Sequence, residues 1–528
     1  MKKLLRFFYT VKDLRWQQGW YRAWQPLKRL WYRAPALPAA AHQAALVFPG
    51  FLPLDLPPPY DCQPQKKSFA FLNREKTFAG DIDWNFREYG LLWAFHLNYL
   101  DWLRDERLSG AIRLQSLTAC AAARSSLCIG LASYPASVRL INVIRFLGSA
   151  PRSLPVVQLL WEDACRVASF PEKHLLGNHF LENAVALFYA AHFFKECHFY
   201  EKSRRWLMAQ LNEQILPDGG HFERSPAYHL HVLMRLLQCL EIATVAPSFE
   251  DETLQAFLKE KAALMLGWSR MFSDGDSLPH FGDSNAEMAP PAALLWKLSE
   301  KLGISPLMLP LKESGYRKMQ AAGWTVWLNA GTASPAYQPG HAHADPLSFV
   351  AYYSGKPCLT SVGVSTYENN GQRRWERSTA AHNTPAVGHQ NASDVWAAFR
   401  MGRKAAVRLL EDSESQIAAS HTGYNHRGIT VKCTLKQLGG KLHLAYRIEC
   451  DPRRQPEETI LHLYFAPGHI IRTEHGNIFI NGRLMLQINA NFEISLSHYS
   501  YAPGFNKCLN STCLRIRFED CVELILMP

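Results

Sequence analysis

Histidine, tyrosine, asparagine and acidic side chains are concentrated in four short clusters of this sequence, at positions where a hydrophobic core would not need them. The first cluster contains Asn178 and His179, followed by Glu182. On a helix His179 and Glu182 lie on the same face, so the carboxylate is expected to orient the imidazole ring. Alternatively, Asn178 serves as the N-cap of that helix.

The second cluster, LPDGGHFERSPAYH, spans residues 216–229. Its glycine-rich turn carries Arg224 and other polar residues into a helix that is predicted to begin near Pro226. Tyr228 and His229 then fall in the first helical turn, where the helix dipole favours anions. A capped junction between a loop and a helix would explain the glycines and the proline, but it would not require so many polar side chains.

The third and fourth clusters are residues 279–284 (PHFGDS) and 340–345 (GHAHAD). We interpret the third as a polar loop with only a structural role. In the fourth, strand alternation places His341, His343 and Asp345 on one face. Two neutral imidazoles on one face are able to share a metal ion such as zinc.

An arginine-rich stretch, QRRWERSTAAHNT, follows at residues 372–384. Guanidinium groups bind carboxylates and sulfates through paired hydrogen bonds, so the stretch from Arg373 to Arg377 is a candidate for contacts with an acidic ligand. A solvated basic loop is the alternative interpretation.

The elements that must position these clusters change type near Gly315. From about Asp83 to Leu311 apolar residues recur at three- and four-residue spacing, which predicts an array of helical hairpins. After Gly315, short alternating segments such as KLHLAYRIEC predict a sandwich of antiparallel strands. We therefore predict three regions: a basic aromatic arm with a proline-rich linker (1–60), a helical domain (61–314) and a β domain (315–528).

Composition fits a folded protein of several domains with a basic surface. The chain has 528 residues, of which 48% are hydrophobic and 20% are charged, and its net charge is +11. A basic surface attracts polyanions, but no nucleic-acid-binding motif is evident, so nucleic acid is not the expected partner. The twelve cysteines lack C-x-x-C spacing and are predicted to be reduced.

The N-terminal arm places Trp16, Trp20 and Trp24 four residues apart among lysines and arginines. Such a helix can lie on an anionic membrane surface, although an arm packed on the main domain is the preferred interpretation. Charges interrupt any apolar core of a signal peptide, and no run is long enough to span a membrane. We expect a cytoplasmic protein or one peripheral to the inner face of the membrane, with the periplasm or cell envelope as the alternative.

Taken together, the clusters resemble the heparinase II/III-like polysaccharide lyases. The resemblance covers most of residues 80–400 and implies an incomplete α/α toroid followed by an antiparallel β-sandwich. The active site would lie in the cleft between them and cleave a uronate-containing acidic polysaccharide by β-elimination. The motifs that carry the resemblance are GNH (177–179), GGHFERSPAYH (219–229), HAHAD (341–345), RSTAAHNT (377–384) and the helical element YPASVRLIN (134–142).

The resemblance also implies roles for individual residues. Asn178 would bind and help to neutralise the substrate carboxylate, and His179 and Glu182 match a second polar pair. Tyr228 and His341 would be the acid and the base, in either assignment. The catalytic set is then Asn178, His179, Tyr228 and His341, and the candidates for substrate binding are Glu182, Arg224, His229, Tyr367, Arg374 and Arg377.

A metal site is less well matched. His343 and His382 correspond to positions that bind zinc in some members of the family. Those members carry a carboxylate on the strand after HAHAD, at a position that corresponds here to Ser361. Two histidines without that carboxylate make an incomplete tetrahedral site, so we do not expect a cofactor to be required.

β-Elimination explains why these residue types occur together. The reaction removes the C5 proton of a uronate and expels the sugar linked through O4. The adjacent charged carboxylate makes that proton barely acidic, so an amide, an imidazole or an arginine must stabilise the charge that develops there. A base and an acid then transfer the two protons.

Two alternatives to a lyase stay open. One is a non-catalytic protein on the same scaffold that binds acidic glycans during polysaccharide assembly, because fold does not dictate function. The other is a glycoside hydrolase, which would need two carboxylates across the cleft. Glu182, Glu223 and Asp283 are the candidates for that pair.

Overall fold

A computed structural model describes residues 2–49, 51, 60–148, 150–453, 457–489 and 492–528. The predicted proline-rich linker lies partly outside the described residues, because 52–59 are not among them. In the part of the chain that the structure describes, every helix is too short or too polar to cross a bilayer. All twelve cysteines are free thiols, as predicted.

Helices dominate the first part of the chain. Among the described residues the α-helices are α1 (Lys2–Val11), α2 (Trp16–Trp31), α3 (Ala39–Leu46), α4 (Leu91–Tyr99), α5 (Gly110–Ala122), α6 (Ser133–Leu147), α7 (Leu154–Ser169), α8 (Gly177–Phe194), α9 (Cys197–Gln214), α10 (Pro226–Val245), α11 (Glu252–Phe272), α12 (Ala292–Lys301) and the short α13 (Gly371–Glu376). A hairpin of two strands, β1 (Ser68–Phe71) and β2 (Arg74–Thr77), precedes α4 and was not predicted.

Helices α6, α8 and α10 form the inside of the helical domain. Helix α6 packs on α7 and α8, α8 packs on α9 and α10, and α10 packs on α11 and α12. Helix α8 is apolar around almost its whole circumference and is buried along its length, because its neighbours surround it. The first turns of these helices carry Tyr134, Asn178 with His179, and Tyr228 respectively, and the rings of Tyr134 and His179 are in contact.

The second part of the chain forms two large antiparallel sheets and a separate short sheet of two strands. Its strands are β3 (Tyr316–Ala321), β4 (Trp324–Asn329), β5 (Phe349–Tyr353), β6 (Lys356–Thr360), β7 (Pro385–Val387), β8 (Val395–Ala397), β9 (Arg400–Met401), β10 (Val407–Asp412), β11 (Gln416–His421), β12 (Ile429–Leu438), β13 (Lys441–Cys450), β14 (Thr459–Phe465), β15 (Ile471–Glu474), β16 (Asn477–Ile480), β17 (Arg483–Asn489), β18 (Phe492–Gly504), β19 (Lys507–Phe518) and β20 (Cys521–Leu526).

The two large sheets pack face to face as a sandwich. One has the order β10-β11-β12-β13-β20-β17-β16-β15, and the other has the order β18-β19-β14-β6-β5-β4-β3 with β7 paired to β14. Strand β12 alternates buried and partly exposed residues, so its apolar side chains enter the core between the sheets. The long connections β4–β5 and β6–β7 leave this framework and reach towards the helical domain.

A buried ion pair explains much of the polar content of the YPASVRLIN helix. Arg139 on α6 is fully buried and donates to both oxygens of Asp163 on α7, at 2.8 and 2.7 Å. Its guanidinium also donates to the backbone carbonyl oxygen of Gly130 at 3.0 Å. Arg139 therefore ties the first inner helix to its outer neighbour rather than contacting a ligand.

We predict that Arg139→Met destabilises the protein by about 3–5 kcal/mol, because it leaves the Asp163 carboxylate buried without its counter-charge. Chemical denaturation measures the free energy of unfolding. The matched control is Arg517→Met, because the Arg517 side chain is 59% exposed and its partner Glu458, at 3.3 Å, is 32% exposed. That variant is expected to unfold almost as the parent does, and equal losses in both variants would contradict the prediction.

Candidate active site

Asp283 is the centre of a buried hydrogen-bond network that joins the two domains. Its two carboxylate oxygens accept from Nη1 and Nη2 of Arg373 at 2.5 and 2.6 Å. Nδ1 of His341 and Nε2 of His343 each lie 2.9 Å from one of these oxygens. Burial alone would raise the pKa of Asp283, but the Arg373 charge and the hydrogen bonds hold that pKa well below its ordinary value. The carboxylate is therefore ionised.

The network fixes the orientation of His341. Because the ionised Asp283 carboxylate can only accept, Nδ1 of His341 carries a proton, and in the neutral ring Nε2 carries the lone pair. That Nε2 lies 3.6 Å from Oε2 of Glu223, which is longer than a hydrogen bond. The ring of Tyr228 packs on the imidazole with 3.8 Å between the ring centroids.

Tyr228 reaches this position from the first turn of α10. Ser225 caps that helix by accepting a hydrogen bond from the Tyr228 backbone N–H. The phenol oxygen of Tyr228 lies 3.3 Å from that of Tyr367, which comes from the β6–β7 connection. Burial raises the pKa of Tyr228 well above its ordinary value, so the phenol keeps its proton and is able to donate it.

Glu223 connects His341 to Asn178. Its Oε1 accepts a hydrogen bond from the Asn178 backbone N–H at 3.0 Å, and its Oε2 is buried without a hydrogen-bond partner. Gly177 has a φ of +56°, and a Cβ there would lie only 2.5 Å from Oε1 of Glu223, so glycine is required at this position. Oδ1 of Asn178 is also buried without a partner. Asn178, Tyr228 and His341 therefore belong to one cluster of side chains, linked through Glu223.

His179 forms a different pair from the one that the sequence predicts. Its Nδ1 lies 3.4 Å from Oε2 of Glu172, and its ring packs on Tyr134 with 4.5 Å between centroids. Burial disfavours the charged ring, but the Glu172 carboxylate raises the pKa of His179 above its ordinary value. The imidazole therefore holds a positive charge to higher pH than an isolated histidine does.

The predicted orientation of His179 by Glu182 is wrong. Glu182 pairs with Nη2 of Arg235 at 2.7 Å and with Nε2 of His231 at 3.2 Å, both on α10. Burial opposes its ionisation, yet the Arg235 charge and these hydrogen bonds lower the pKa of Glu182 to about 2. The i, i+3 spacing does place the two side chains near each other, but the neighbouring helix supplies the stronger partner for the carboxylate.

Three residues that are predicted to bind substrate have side chains that bond to backbone carbonyls within the protein. The Arg224 guanidinium donates to the backbone carbonyl oxygen of Thr332 and holds α10 to the sandwich. His229 is buried, with Nε2 3.0 Å from the carbonyl oxygen of Met265. Arg377 is fully buried and donates to four backbone carbonyl oxygens. These groups satisfy buried carbonyls that would otherwise lack donors.

The arginine-rich stretch is therefore mostly internal. Arg373 faces Asp283 and Arg377 faces backbone carbonyls, whereas Arg374 is exposed on the outer side of α13. Of the predicted substrate-binding residues, the structure leaves Arg374 in solvent and places Tyr367 beside Tyr228.

The HAHAD segment is irregular rather than a strand, so the predicted alternation is wrong. His341 and His343 nevertheless both face Asp283, because the backbone N–H of Asp283 bonds to the carbonyl of His341 and holds the two loops together. Asp345 turns away and accepts hydrogen bonds from Asn329 and Ser348 at 3.1 and 2.9 Å.

The third cluster, for which only a structural role is predicted, contains Asp283. That aspartate is the acidic group to which both loop histidines are bound. In the sequence, this aspartate lies in a loop with histidine, glycine and serine. The other three clusters are marked by the same concentration of polar side chains. Its importance depends on Arg373 and the histidines, which are distant in the sequence.

The predicted zinc ligands are in direct contact with each other. Nδ1 of His343 lies 3.0 Å from Nε2 of His382, while their other ring nitrogens face Asp283 and the carbonyl of Ser378. Ser361 offers only a neutral hydroxyl where a carboxylate is expected, and no three His, Cys, Asp or Glu side chains among the described residues are arranged to hold a metal ion. Zinc needs at least three protein ligands, so these residues do not fit it.

Comparison with protein families gives two matches. A model described as Heparinase II/III N-terminus matches residues 159–294, and one described as Heparinase II/III-like, C-terminal, matches residues 304–498. Together they cover more than half of the chain, including the first turns of α8 and α10, Asp283 and the HAHAD segment.

Comparison with individual proteins agrees. Heparin-sulfate lyases from Bacteroides stercoris and Pedobacter heparinus are 27% and 26% identical over 247 and 248 residues, which is 41% of this chain. The match spans 36% of each relative, about a third of its length. A crystal structure of heparinase III superposes with a TM-score of 0.65 at 14% identity, over 93% of this chain and 85% of that one. The predicted fold, an incomplete α/α toroid followed by an antiparallel β-sandwich, is confirmed.

We predict that Asp283→Asn destabilises the protein by about 3–5 kcal/mol, because Arg373 is then buried without a counter-charge. Denaturant titration measures this loss. In the folded fraction, ¹⁵N NMR of the histidine rings is expected to show that His341 no longer holds its proton on Nδ1 alone, because the amide imposes no single tautomer.

The control is Asp345→Asn, whose carboxylate accepts only from neutral groups, Asn329 and Ser348, in the described part of the chain. Its loss is expected to be about 1 kcal/mol, the value of an ordinary hydrogen bond. An unchanged His341 tautomer in Asp283→Asn would show that the carboxylate does not orient the ring.

Proposed function

Because the chain belongs to the heparinase II/III-like family, we propose that it is a polysaccharide lyase that cleaves a uronate-containing acidic polysaccharide by β-elimination. The observation that carries the proposal is one cluster of contacts that brings together an amide, a protonated phenol and an imidazole with an available Nε2, at Asn178, Tyr228 and His341. The relatives named heparin-sulfate lyase support an acidic polysaccharide as the substrate.

Binding of the uronate carboxylate prepares the C5 proton for removal. The amide of Asn178 and the imidazole of His179 lie in the first turn of α8, where the helix dipole adds positive potential. The Glu172 carboxylate raises the pKa of His179, which favours a positive charge in the site. These groups stabilise the negative charge that builds on the carboxylate as the proton leaves.

The two proton transfers are assigned by the state of each side chain. His341 is the base, because Asp283 holds a proton on Nδ1 and leaves Nε2 free to accept the C5 proton. Tyr228 is the acid, because burial keeps its phenol protonated and able to donate to the departing O4 oxygen. Once His341 is charged, the ionised Asp283 carboxylate stabilises the imidazolium.

Acidic groups of the polysaccharide beyond the cleaved uronate need other contacts. We assign Tyr367, beside Tyr228, to sugar stacking or hydrogen bonding, and the exposed Arg374 to a more distant carboxylate or sulfate.

The two alternatives are less well supported. A hydrolase needs two carboxylates facing the substrate, but Asp283 and Glu182 are each buried in an ion pair with an arginine. Only Glu223 is left of the three predicted carboxylates. A glycan-binding protein would not need the tautomer of His341 to be fixed by a buried carboxylate.

We predict that Tyr228→Phe and His341→Ala each lower kcat by about 10²–10⁴-fold, because each removes one proton-transfer group. The assay follows the ultraviolet absorbance of the unsaturated uronate over a panel of uronate polymers. Phenylalanine keeps the packing on His341, so binding of oligosaccharides by Tyr228→Phe is expected to persist.

The matched control is Tyr499→Phe, which also removes a phenol oxygen but one that donates to the backbone carbonyl of Phe465 within the β-sandwich. It is expected to retain turnover. A parent protein that binds acidic oligosaccharides yet never yields the ultraviolet signal with any uronate polymer would overturn the lyase proposal in favour of a glycan-binding protein.

We further predict that turnover does not need a bound metal, because the set of donors at His343 and His382 is incomplete. Treatment with EDTA is expected to leave activity unchanged, and elemental analysis is expected to find substoichiometric zinc. The variant Ser361→Asp supplies the missing carboxylate and is expected to increase zinc content towards one ion per chain. Stoichiometric zinc in the parent, with activity lost in EDTA, would refute this prediction.

A further inference from the structure

Helix α2 packs on the protein through its polar face. Gln18 and Gln25 are its buried side chains, and Nε2 of Gln25 donates to the carbonyl oxygen of Pro171 at 2.6 Å. One turn further, Nζ of Lys28 donates to the carbonyl oxygen of Ser169 at 2.9 Å. The opposite face carries large apolar side chains in solvent at helical spacing: Trp16, Trp20, Trp24, Leu27 and Trp31.

Helix α1 is attached in the same way. Arg6 donates to both carboxylate oxygens of Asp394 at 2.8 Å, and just after the helix Asp13 pairs with Lys404 at 2.8 Å. The apolar side chains of α1 again point outwards, with Leu4 73% exposed and Phe7 65% exposed; the full set is Leu4, Leu5, Phe7 and Phe8.

This arrangement is the reverse of an ordinary surface helix, which turns its apolar face inwards. The ion pairs and hydrogen bonds hold the two helices in place, so the outward position of the tryptophans is set by the fold. Trp16 and Trp31, at opposite ends of α2, are 76% and 75% exposed. Large apolar side chains held in solvent in this way mark a binding surface. We call the nine apolar residues on α1 and α2 named above the arm surface.

The positive charge of the arm favours a negatively charged partner. Residues 2–33 contain nine lysines and arginines and a single acidic residue, Asp13, which is paired with Lys404. Arg22 and Arg29 are exposed beside the tryptophans. Tryptophan and cationic side chains together suit the boundary between acyl chains and anionic headgroups, where the rings enter the interface and the cations meet phosphates. A second copy of the same surface would instead bring like charges together.

We propose that the arm surface docks the protein on an anionic lipid bilayer, with α1 and α2 lying in the plane of the interface. This proposal is independent of the lyase activity, but it places that activity at a membrane. Arg15 stacks over the ring of Tyr337 at 4.1 Å, and Tyr337 begins the segment that leads to His341. The arm therefore borders the chain segment that carries the base of the candidate active site.

The test uses the purified full chain and vesicles of phosphatidylcholine, alone or mixed with phosphatidylglycerol. Co-sedimentation and the blue shift of tryptophan fluorescence measure binding. We expect the protein to bind the anionic vesicles, to bind neutral vesicles weakly, and to be released by salt. The variant Trp16→Ser/Trp20→Ser/Trp24→Ser is expected to lose at least about tenfold in affinity, because three interfacial rings are removed.

The matched control is Leu438→Ser/Ile470→Ser, which removes two exposed apolar side chains from the β-sandwich and is expected to leave binding unchanged. Circular dichroism checks that both variants are folded. The proposal is overturned if the parent ignores anionic vesicles, if it binds neutral ones equally well, or if the tryptophan variant binds as the parent does. It is also overturned if light scattering shows a dimer that the tryptophan variant abolishes, because the surface would then bind a second copy.

Discussion

The carboxylate of Asp283 is shared by Arg373, His341 and His343, which approach it from loops of the sandwich domain. A buried carboxylate without these partners would be strongly unfavourable, so this contact constrains how the helical and β domains meet. The same contact that fixes this junction also fixes the tautomer and direction of the His341 ring. Stability at the domain boundary and geometry at the candidate site therefore depend on one interaction.

Around this junction some charged groups are buried together with hydrogen-bond partners, whereas other buried polar atoms have no partner. Arg373, Arg377 and Glu182 are all buried and paired, whereas Oδ1 of Asn178 and Oε2 of Glu223 are buried without a hydrogen-bond partner. Unpaired buried polar atoms are costly and cluster where a ligand completes them. In the proposed lyase, a bound sugar would supply the missing partners of these two atoms.

The N-terminal arm follows a different rule. Its polar side chains satisfy carbonyls and carboxylates on the body of the protein, while its tryptophans face outwards. The first sequence-based interpretation, an arm packed on the main domain, describes the polar face of this segment. The second, a basic aromatic helix on a membrane, remains a proposal for the tryptophan face. The sequence showed that the helix was amphipathic, but only the packing showed which face the protein uses.

Local patterns in the sequence determined the helical and β halves, the start of α10 at Pro226 and the clusters that hold Asn178, Tyr228 and His341, because periodicity and capping act over a few residues. They could not determine which charged groups pair. Glu172 rather than Glu182 contacts His179, and Arg373 binds Asp283 across 90 positions of the chain. Such pairs depend on how helices and loops pack. A buried charged group is stabilised by the oppositely charged group that the tertiary fold places within hydrogen-bonding distance.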